Sequence, residues 1–241
     1  MKKAIVIGAS SGLGNEVARL LLEQGWTLGV AARRVEALEL LRELAPERVQ
    51  TQAIDVTSDD ATAALDELIA KVGGMDLLFY AAGIGKQNME LESDFELNTV
   101  TTNGLGFTRM IGAAYRYMAT HGGGHIAAIS SIAGTKGLGA APSYSATKAF
   151  QATYLQALEQ QASMRKLNIR FTDLRPGFVA TPLLGDNPKY PMLLETKKVA
   201  REMVKAINSG KHVWVIDWRW RITTALWRRI PKCIWRRLKI K

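Results

Sequence analysis

The sequence contains little cysteine and histidine and no long apolar run. One of its 241 residues is cysteine and three are histidine, and no metal site is predicted. The lone Cys233 excludes a disulfide within the chain, which favours a reducing compartment and hence a cytoplasmic protein. No apolar run approaches the ~20 residues that a membrane-spanning helix needs. The opening MKKAIVIGAS has too short an apolar run for a secretory signal and enters a glycine-rich turn, so we interpret it as a first strand.

Acidic residues are nearly absent from the end of the chain, and this explains most of the net charge of +10. Residues 211–241 contain ten basic residues and one acidic residue, whereas residues 1–210 contain 22 basic and 21 acidic residues. With 47% hydrophobic residues, the composition is that of a globular protein. We therefore expect one nearly neutral domain over residues 1–216 and a basic extension over residues 217–241.

Short apolar runs alternate with longer amphipathic runs throughout the body of the chain. Strands are predicted at residues 4–8, 27–31, 49–54, 75–81, 125–130, 168–174 and 212–216. Helices are predicted at residues 15–24, 35–44, 59–72, 94–119, 143–166 and 195–208. Such regular alternation predicts βαβ units, and hence a Rossmann-type, doubly wound parallel sheet of about seven strands with helices on both faces.

Three glycines, Gly8, Gly12 and Gly14, separate the first strand from the first helix. A dinucleotide site needs glycine at such positions for a tight turn, for close approach to a pyrophosphate and for packing of the helix on the strand. The helix N-terminus then offers its N–H groups and the positive end of its dipole to the phosphates. A plain strand-to-helix turn is the alternative.

The second strand ends in the sequence AARR and lacks the carboxylate that usually binds the ribose hydroxyls of NAD. Arg33 and Arg34 instead offer guanidinium groups to a 2′-phosphate, so NADP(H) is favoured over NAD(H), with Arg33 as the first candidate. The alternative is that both arginines form a solvated flank of the next helix. Asp55 follows the third strand and either accepts from an adenine amino group or caps the next helix, a role that Thr57 or Ser58 could also fill.

Tyr144 and Lys148 are four residues apart in a helix-like run, so their side chains lie on one face. A neighbouring ammonium lowers the pKa of a phenol from ~10 and makes it a usable general acid–base group. Alone, such a pair is more often a surface feature. Ser131 ends a strand where strand ends meet a cofactor crevice, and Ser130 is the alternative for the same role.

Together these motifs resemble the short-chain dehydrogenase/reductase family, in its compact single-domain branch, over roughly residues 3–216. The resemblance implies four catalytic residues: Asn103, Ser131, Tyr144 and Lys148. It implies cofactor contacts at Gly8, Ser10, Ser11, Gly12, Leu13, Gly14, Arg33, Arg34, Asp55, Val56, Ala82, Gly83, Tyr144, Lys148, Pro176, Gly177, Val179 and Thr181. Among these, Thr181 and the backbone near Val179 would position the nicotinamide carboxamide.

The resemblance also implies a mechanism. Tyr144 would pass a proton to or from the substrate oxygen while hydride moves between the nicotinamide and the carbonyl carbon. Lys148 would hold the nicotinamide ribose and depress the pKa of Tyr144, and Ser131 would hydrogen-bond the substrate oxygen. Asn103 would maintain a helix break and hold a water in a proton relay.

Two positions depart from the family's pattern. Ile7 stands before Gly8, where the family usually has threonine, and Tyr80-Ala81 stands where it usually has two asparagines. In the family these polar groups are hydrogen-bonded neighbours, so we expect one coupled replacement by apolar packing. The change concerns the floor of the cofactor site and leaves the proton chemistry intact.

The stretch from residue 177 to 198 stands where the family keeps its substrate lid. It offers six apolar side chains as lining: Phe178, Leu183, Leu184, Met192, Leu193 and Leu194. The small-residue loop 133–143 would line the opposite side. An uncharged or lipophilic carbonyl or secondary alcohol is therefore favoured, and packing of the lid on the domain is the alternative use of these side chains.

Residues 218–241 hold four of the six tryptophans and no acidic residue. Apolar residues recur there every four positions, at Ile222, Leu226, Ile230, Ile234 and Leu238, and Pro231 should divide the helix into two short amphipathic pieces. Such a segment is typical of a membrane interface. Packing on the body or across a subunit interface is the second interpretation, and nucleic-acid binding is the third and least favoured.

The whole sequence predicts an NAD(P)-dependent oxidoreductase, NADP(H)-preferring, that acts on an apolar or lipid-linked carbonyl or secondary alcohol. We expect a homodimer or homotetramer in the cytoplasm, with the tail as a contact to the inner face of a membrane. The alternative is a non-catalytic NADP-binding sensor that acts through its tail. The presence of Asn103, Ser131, Tyr144 and Lys148 together favours the enzyme.

Overall fold

Seven short apolar runs form one parallel sheet in a computed structural model, which describes residues 1–185 and 190–239. The strands are β1 (Lys3–Ile7), β2 (Thr27–Ala32), β3 (Val49–Ala53), β4 (Leu77–Tyr80), β5 (Gly124–Ile129), β6 (Ile169–Arg175) and β7 (Val213–Val215). Their order is β3-β2-β1-β4-β5-β6-β7, and every neighbouring pair is parallel. The predicted Rossmann-type fold is therefore confirmed.

Helices connect the strands and continue beyond the last one. They are α1 (Gly12–Glu23), α2 (Glu36–Arg42), α3 (Ala61–Val72), α4 (Ser93–Val100), α5 (Phe107–Thr120), α6 (Pro142–Met164), α7 (Thr196–Asn208), α8 (Trp218–Arg229) and α9 (Lys232–Trp235). Pro231 stands between the last two. Residues 186–189 of the predicted lid and residues 240–241 of the predicted extension lie outside the described residues.

The single helix predicted over residues 94–119 is wrong in one respect, because a π-helical segment, Thr101–Gly106, separates α4 from α5. Gly106 shows the packing that accompanies this widening. A Cβ atom at Gly106 would lie 2.7 Å from Cγ2 of Val56. The π-helical segment therefore packs closely against the loop that follows β3. π-helical segments occur frequently at functional sites.

Strand residues alternate between two apolar layers, as the pleat requires. Ala4 and Val6 of β1 face a core covered by α1, α2 and α7, whereas Ile5 and Ile7 face a core covered by α3, α5 and α6. Ile7 is paired in register with Tyr80, and both are buried in the second core. Apolar packing thus occupies the position where the resemblance led us to expect it.

The strand order reverses direction between β1 and β4, which opens a crevice at the carboxyl ends of these strands. The glycine-rich turn after β1 and the loop after β4 meet there, since Gly8 contacts Ala82. Among the helices of residues 1–185 and 190–239, none is both long enough and apolar enough to cross a bilayer.

Candidate active site

One cavity of about 790 Å³ opens along the carboxyl ends of the strands. We call the part around the glycine-rich turn and Arg33 the cofactor end, and the part around Ser131, Tyr144 and Phe178 the substrate end. The cavity is lined by all the predicted catalytic and cofactor-binding residues except Asn103. Residues scattered from position 8 to position 181 are thus brought to one site.

The glycine-rich turn is shaped by two close approaches. Gly8 has a φ of +89°, and a Cβ atom there would lie 2.6 Å from the backbone nitrogen of Ala82. A Cβ atom at Gly14 would lie 2.1 Å from the carbonyl oxygen of Gly8. Ser11 precedes α1 without capping it through its side chain, and the first turn of α1 lines the cavity. The turn therefore fits the pyrophosphate of a dinucleotide, which helix N–H groups bind.

Arg33 and Arg34 follow β2 directly and are exposed at the cofactor end of the cavity. Oδ1 of Asp55 accepts hydrogen bonds from N and Oγ1 of Thr57, at 2.9 and 2.7 Å. These bonds, with a smaller contribution from Arg33, hold the pKa of Asp55 below its usual value. Since α3 begins only at Ala61, Asp55 closes a local turn and does not cap that helix.

The two candidate serines have different surroundings. The hydroxyl of Ser130 is buried and donates to Oδ1 of Asp173. The other carboxylate oxygen of Asp173, Oδ2, binds Arg175. Ser131 lies on the cavity wall, and its Oγ accepts from N of Ala133 at 3.1 Å. Ser130 is therefore occupied within the protein, and the geometry favours Ser131 as the serine that meets a substrate.

Lys148 is buried beside Tyr144 and has two acceptors. Its Nζ donates to the backbone oxygen of Ile129 at 3.0 Å and to Oε1 of Gln151 at 2.9 Å. Burial lowers the pKa of Lys148 to about 8, and the carboxylate of Asp173 opposes this shift. The ammonium lies 5.7 Å from the centre of the Tyr144 ring.

The pKa of Tyr144 is raised in this structure. Burial is the larger cause, and a hydroxyl interaction with Ser131 opposes it. The resemblance predicts the reverse, a lowering by Lys148. Burial therefore outweighs the interaction with Ser131 in setting the pKa of Tyr144, and the predicted lowering is not found here.

Asn103 lies in the π-helical segment behind the cavity wall and is fully buried. Its Oδ1 accepts from N of Ile84 at 2.9 Å, and its Nδ2 donates to O of Ile84 at 2.7 Å. The side chain therefore fixes the loop after β4. Its backbone oxygen accepts from Nε2 of Gln151 at 2.9 Å.

Gln151 is a site residue that sequence reasoning missed. It is 0% exposed and bridges Lys148 to the backbone of Asn103 through both ends of its amide. The bridge connects two predicted catalytic residues directly. Its signal was available, because a residue three positions after Lys148 lies on the same helical face.

Half of the predicted apolar lining reaches the cavity. Phe178, Leu183 and Leu184 line the cavity, together with Leu138 from the opposite loop. The other three predicted side chains, Met192, Leu193 and Leu194, do not line it. Leu194 pairs with Val179 in a short bridge and is buried in the core beside α7, as the packing alternative anticipates.

Two tryptophans of α8, Trp220 and Trp227, also line the cavity. Sequence reasoning did not include them in the site, because the apolar residues spaced by four drew attention to the other face of the helix. Trp220 is 2% exposed and lies edge-on to Phe178, with ring centres 5.7 Å apart. The spacing of seven between Trp220 and Trp227 was the available signal, since it places both on one face.

Comparison with known proteins gives consistent similarities. Residues 2–190 match the short chain dehydrogenases. An uncharacterized oxidoreductase of Myxococcus xanthus is 32% identical over 237 residues, which cover 95% of this chain and 93% of that protein. Glycine betaine reductase of Emericella nidulans is 33% identical over 232 residues, covering 88% of this chain and 18% of that enzyme.

The fold is also similar to those of solved structures. A variant of actinorhodin polyketide ketoreductase, solved with NADPH, is 25% identical, with a TM-score of 0.78 over 89% of this chain and 95% of that one. A short-chain dehydrogenase from Streptomyces avermitilis has a TM-score of 0.82 at 24% identity, over 93% of this chain and 91% of that one. The second similarity concerns the fold alone.

Proposed function

Because the chain belongs to the short-chain dehydrogenase family of oxidoreductases, we propose that it is an NADP(H)-dependent enzyme that interconverts a carbonyl and a secondary alcohol. The observation that carries the proposal is the convergence of Ser131, Tyr144 and Lys148 on a cavity whose other end is a dinucleotide-type glycine turn. A non-catalytic sensor is not favoured, because it would not require these three side chains together.

Each side chain has a role that its surroundings support. Tyr144 transfers the proton at the substrate oxygen, and Ser131 donates a hydrogen bond to the same oxygen. Lys148, anchored by Ile129 and Gln151, binds a ribose hydroxyl and supplies positive charge beside the phenol. Asn103 positions the loop after β4. NADPH, when bound, supplies the hydride.

The preference for NADP(H) is supported by the two exposed arginines after β2. A 2′-phosphate makes charge-assisted hydrogen bonds with guanidinium groups, whereas no carboxylate follows β2 to receive the ribose hydroxyls of NAD. The actinorhodin ketoreductase solved with NADPH supports the same choice. The substrate is expected to be apolar, since Phe178, Leu183 and Leu184 line the cavity.

The experiment is an NADPH-oxidation screen against ketones of increasing chain length. Wild type is compared with Tyr144→Phe, which keeps the ring and removes the hydroxyl. We expect turnover that rises with apolar size and falls by at least about 100-fold in Tyr144→Phe, the usual range for a lost general acid. If no ketone is reduced faster by wild type than by Tyr144→Phe, the proposal is refuted.

The outer face of the tail supports a peripheral contact with an anionic membrane. Ile222 and Leu226 of α8, with Ile234 and Leu238 beyond Pro231, are exposed. Basic side chains flank them: Arg228, Arg229, Arg236 and Arg237. Cations beside an apolar stripe are typical of segments that lie in a bilayer interface.

Vesicle co-sedimentation tests this contact with phosphatidylcholine alone and with added phosphatidylglycerol. We expect binding only with the anionic lipid, weakened by salt and by Leu226→Ser. Equal partitioning of wild type and Leu226→Ser would exclude the contact. Removal of the whole tail would be a poor test, because Trp220 is part of the core.

A homodimer or homotetramer is supported by a second exposed apolar surface. Leu97 and Val100 of α4 and Phe150 of α6 are exposed on helices that contact each other. Contiguous exposed apolar patches are typical of subunit interfaces. Light scattering should give the mass of an oligomer, and Phe150→Lys should reduce it towards 26.5 kDa. An unchanged mass in Phe150→Lys would exclude this surface.

A further inference from the structure

The inner face of α8 continues the wall of the substrate end. Tyr190 stacks on Phe178 with ring centres 4.6 Å apart, and Phe178 meets Trp220 edge-on at 5.7 Å. Trp227 follows at 6.4 Å from Trp220, and Trp235 at 5.5 Å from Trp227. Neighbouring aromatic rings are thus in contact along one continuous series from Tyr190 of the predicted lid to Trp235 of the tail.

The tail is fastened to the loop that follows Ser131. Nε1 of Trp235 donates to the backbone oxygen of Gly137 at 2.8 Å, and Nζ of Lys136 donates to the backbone oxygen of Ile230 at 3.0 Å. Near the start of α8, Nη2 of Arg221 donates to Oε1 of Glu202 in α7 at 2.8 Å. The tail is therefore attached to the domain on both sides of Trp227.

Trp220 contacts a residue of the predicted cofactor site. A Cβ atom at Gly177 would lie 2.1 Å from Nε1 of Trp220, so the indole rests directly on that glycine. Within residues 1–185 and 190–239, this Nε1 is buried and has no hydrogen-bond partner. The position of Trp220 is therefore determined by van der Waals packing and not by a hydrogen bond of its indole N–H. This packing holds α8 against the Pro176-Gly177 turn.

Trp220 and Trp227 differ in how they meet the cavity. Trp220 is 2% exposed and is packed into the core, whereas Trp227 is only partly buried, although both line the cavity. A substrate ring could therefore lie against Trp227 without displacing any part of the protein. Aromatic pairs in such contacts prefer edge-to-face or offset-stacked geometry.

We propose that α8 is part of the substrate site, with Trp227 as a specificity-determining residue for aromatic or extended apolar carbonyl compounds and Trp220 as the residue that positions it. The inference rests on the proposed function and deepens it by assigning the substrate class. The tail thereby has two faces: the outer one carries the exposed stripe, and the inner one meets the substrate.

The test compares Trp227→Ala with Trp227→Phe, which keeps an aromatic surface. The matched control is Trp218→Ala, because Trp218 lies on the same helix and is 65% exposed. Rates of NADPH oxidation are measured with acetone, 2-octanone and 2-acetonaphthone. We expect kcat/KM for 2-acetonaphthone to fall about tenfold in Trp227→Ala, which corresponds to one aromatic contact. Acetone should be little affected, Trp227→Phe should retain most of the selectivity, and Trp218→Ala should match wild type.

Binding measurements separate this inference from the proposed function. Calorimetric titration of the NADP-loaded protein with 2-acetonaphthone measures the affinity for the ketone even if no ketone is reduced. The affinity for NADP should be the same in all variants. Weaker binding of the ketone in Trp227→Ala, but not in Trp227→Phe or Trp218→Ala, supports a contact between Trp227 and the substrate. Equal loss for all three ketones, or unchanged selectivity and binding in Trp227→Ala, overturns it. A thermal melt of Trp227→Ala that matches Trp227→Phe shows that the comparison is made on folded protein.

Discussion

The bridge formed by Gln151 should control the protonation of Lys148. Gln151 is fully buried, its Oε1 is one of two acceptors for Lys148, and its Nε2 satisfies the backbone oxygen of Asn103. Gln151→Leu fills a similar volume and removes both bonds. The variant therefore removes one of the two acceptors of a buried ammonium and the Gln151 donor of a buried carbonyl.

The expected magnitude follows from these two losses. A buried polar group without a partner costs about 1–3 kcal/mol, and more when it is charged, so we expect Gln151→Leu to lose about 2–5 kcal/mol of unfolding free energy. Lys148 can relieve part of this by releasing its proton. Its pKa, already lowered to about 8, should fall further, because the lost acceptor favours the charged form.

The assay is the pH dependence of kcat/KM for NADPH oxidation. If the ammonium form of Lys148 is required, activity declines at alkaline pH, and Gln151→Leu should move that decline to lower pH. Gln151→Glu keeps an acceptor beside Lys148 and adds negative charge, so it should move the decline to higher pH. Gln156→Leu, an exposed glutamine on the same helix, is the control. Superimposable profiles for Gln151→Leu and wild type would refute the reasoning, whatever the change in stability.

Three further outcomes are expected. In steady-state assays, Arg33→Ala should raise KM for NADPH about tenfold and leave KM for NADH unchanged. The reason is that only the 2′-phosphate of NADPH loses a charge-assisted hydrogen bond. A parallel rise in KM for both cofactors would contradict this prediction. Gly14→Ala should destabilise the fold in thermal melts, because the added Cβ would lie 2.1 Å from the oxygen of Gly8, and an unchanged melting temperature would argue against so close an approach. The pKa of Lys148 is about 8 in the folded state and 10.5 in a free chain, so between these pH values the unfolded state binds one more proton than the folded state. The free energy of unfolding should therefore rise with pH in that window, by about 3 kcal/mol. Chemical denaturation of wild type should show this rise, and Lys148→Met should lack it.

Sequence reasoning succeeded where one local pattern determines one structure. The short, nearly continuous apolar runs identified the seven strands, because a strand buried on both faces needs apolar residues at nearly every position. The turn at Gly8 could be predicted because close backbone approach leaves glycine as the only fitting residue. Helical periodicity predicted the helix over 94–119 without a break, because periodicity alone does not distinguish a π-helical segment from an α-helix. The family resemblance was what implied a break at Asn103, which lies in that segment.

Pairings between distant parts of the chain were less accessible. The choice between Ser130 and Ser131 depends on Asp173 of β6, which is 43 positions away from Ser130. The pKa of Tyr144 depends on burial and on Ser131, and neither can be deduced from the spacing of Tyr144 and Lys148. Such facts arise from register between strands, which a single sequence does not specify.

The tail shows most clearly how a correct pattern can mislead. A stripe of Ile and Leu at every fourth position is the usual mark of a buried helix face, yet Ile222 and Leu226 are exposed. The inner face of α8 is built from the buried Trp220 and Thr224 and the partly buried Trp227, and the hydroxyl of Thr224 donates to the backbone oxygen of Trp220 at 2.8 Å. Two large indoles and one internally satisfied hydroxyl can cover a surface as well as four aliphatic side chains. We therefore propose that α8 serves two surfaces at once: its inner face borders the cavity, and its outer face presents exposed apolar side chains beside basic ones.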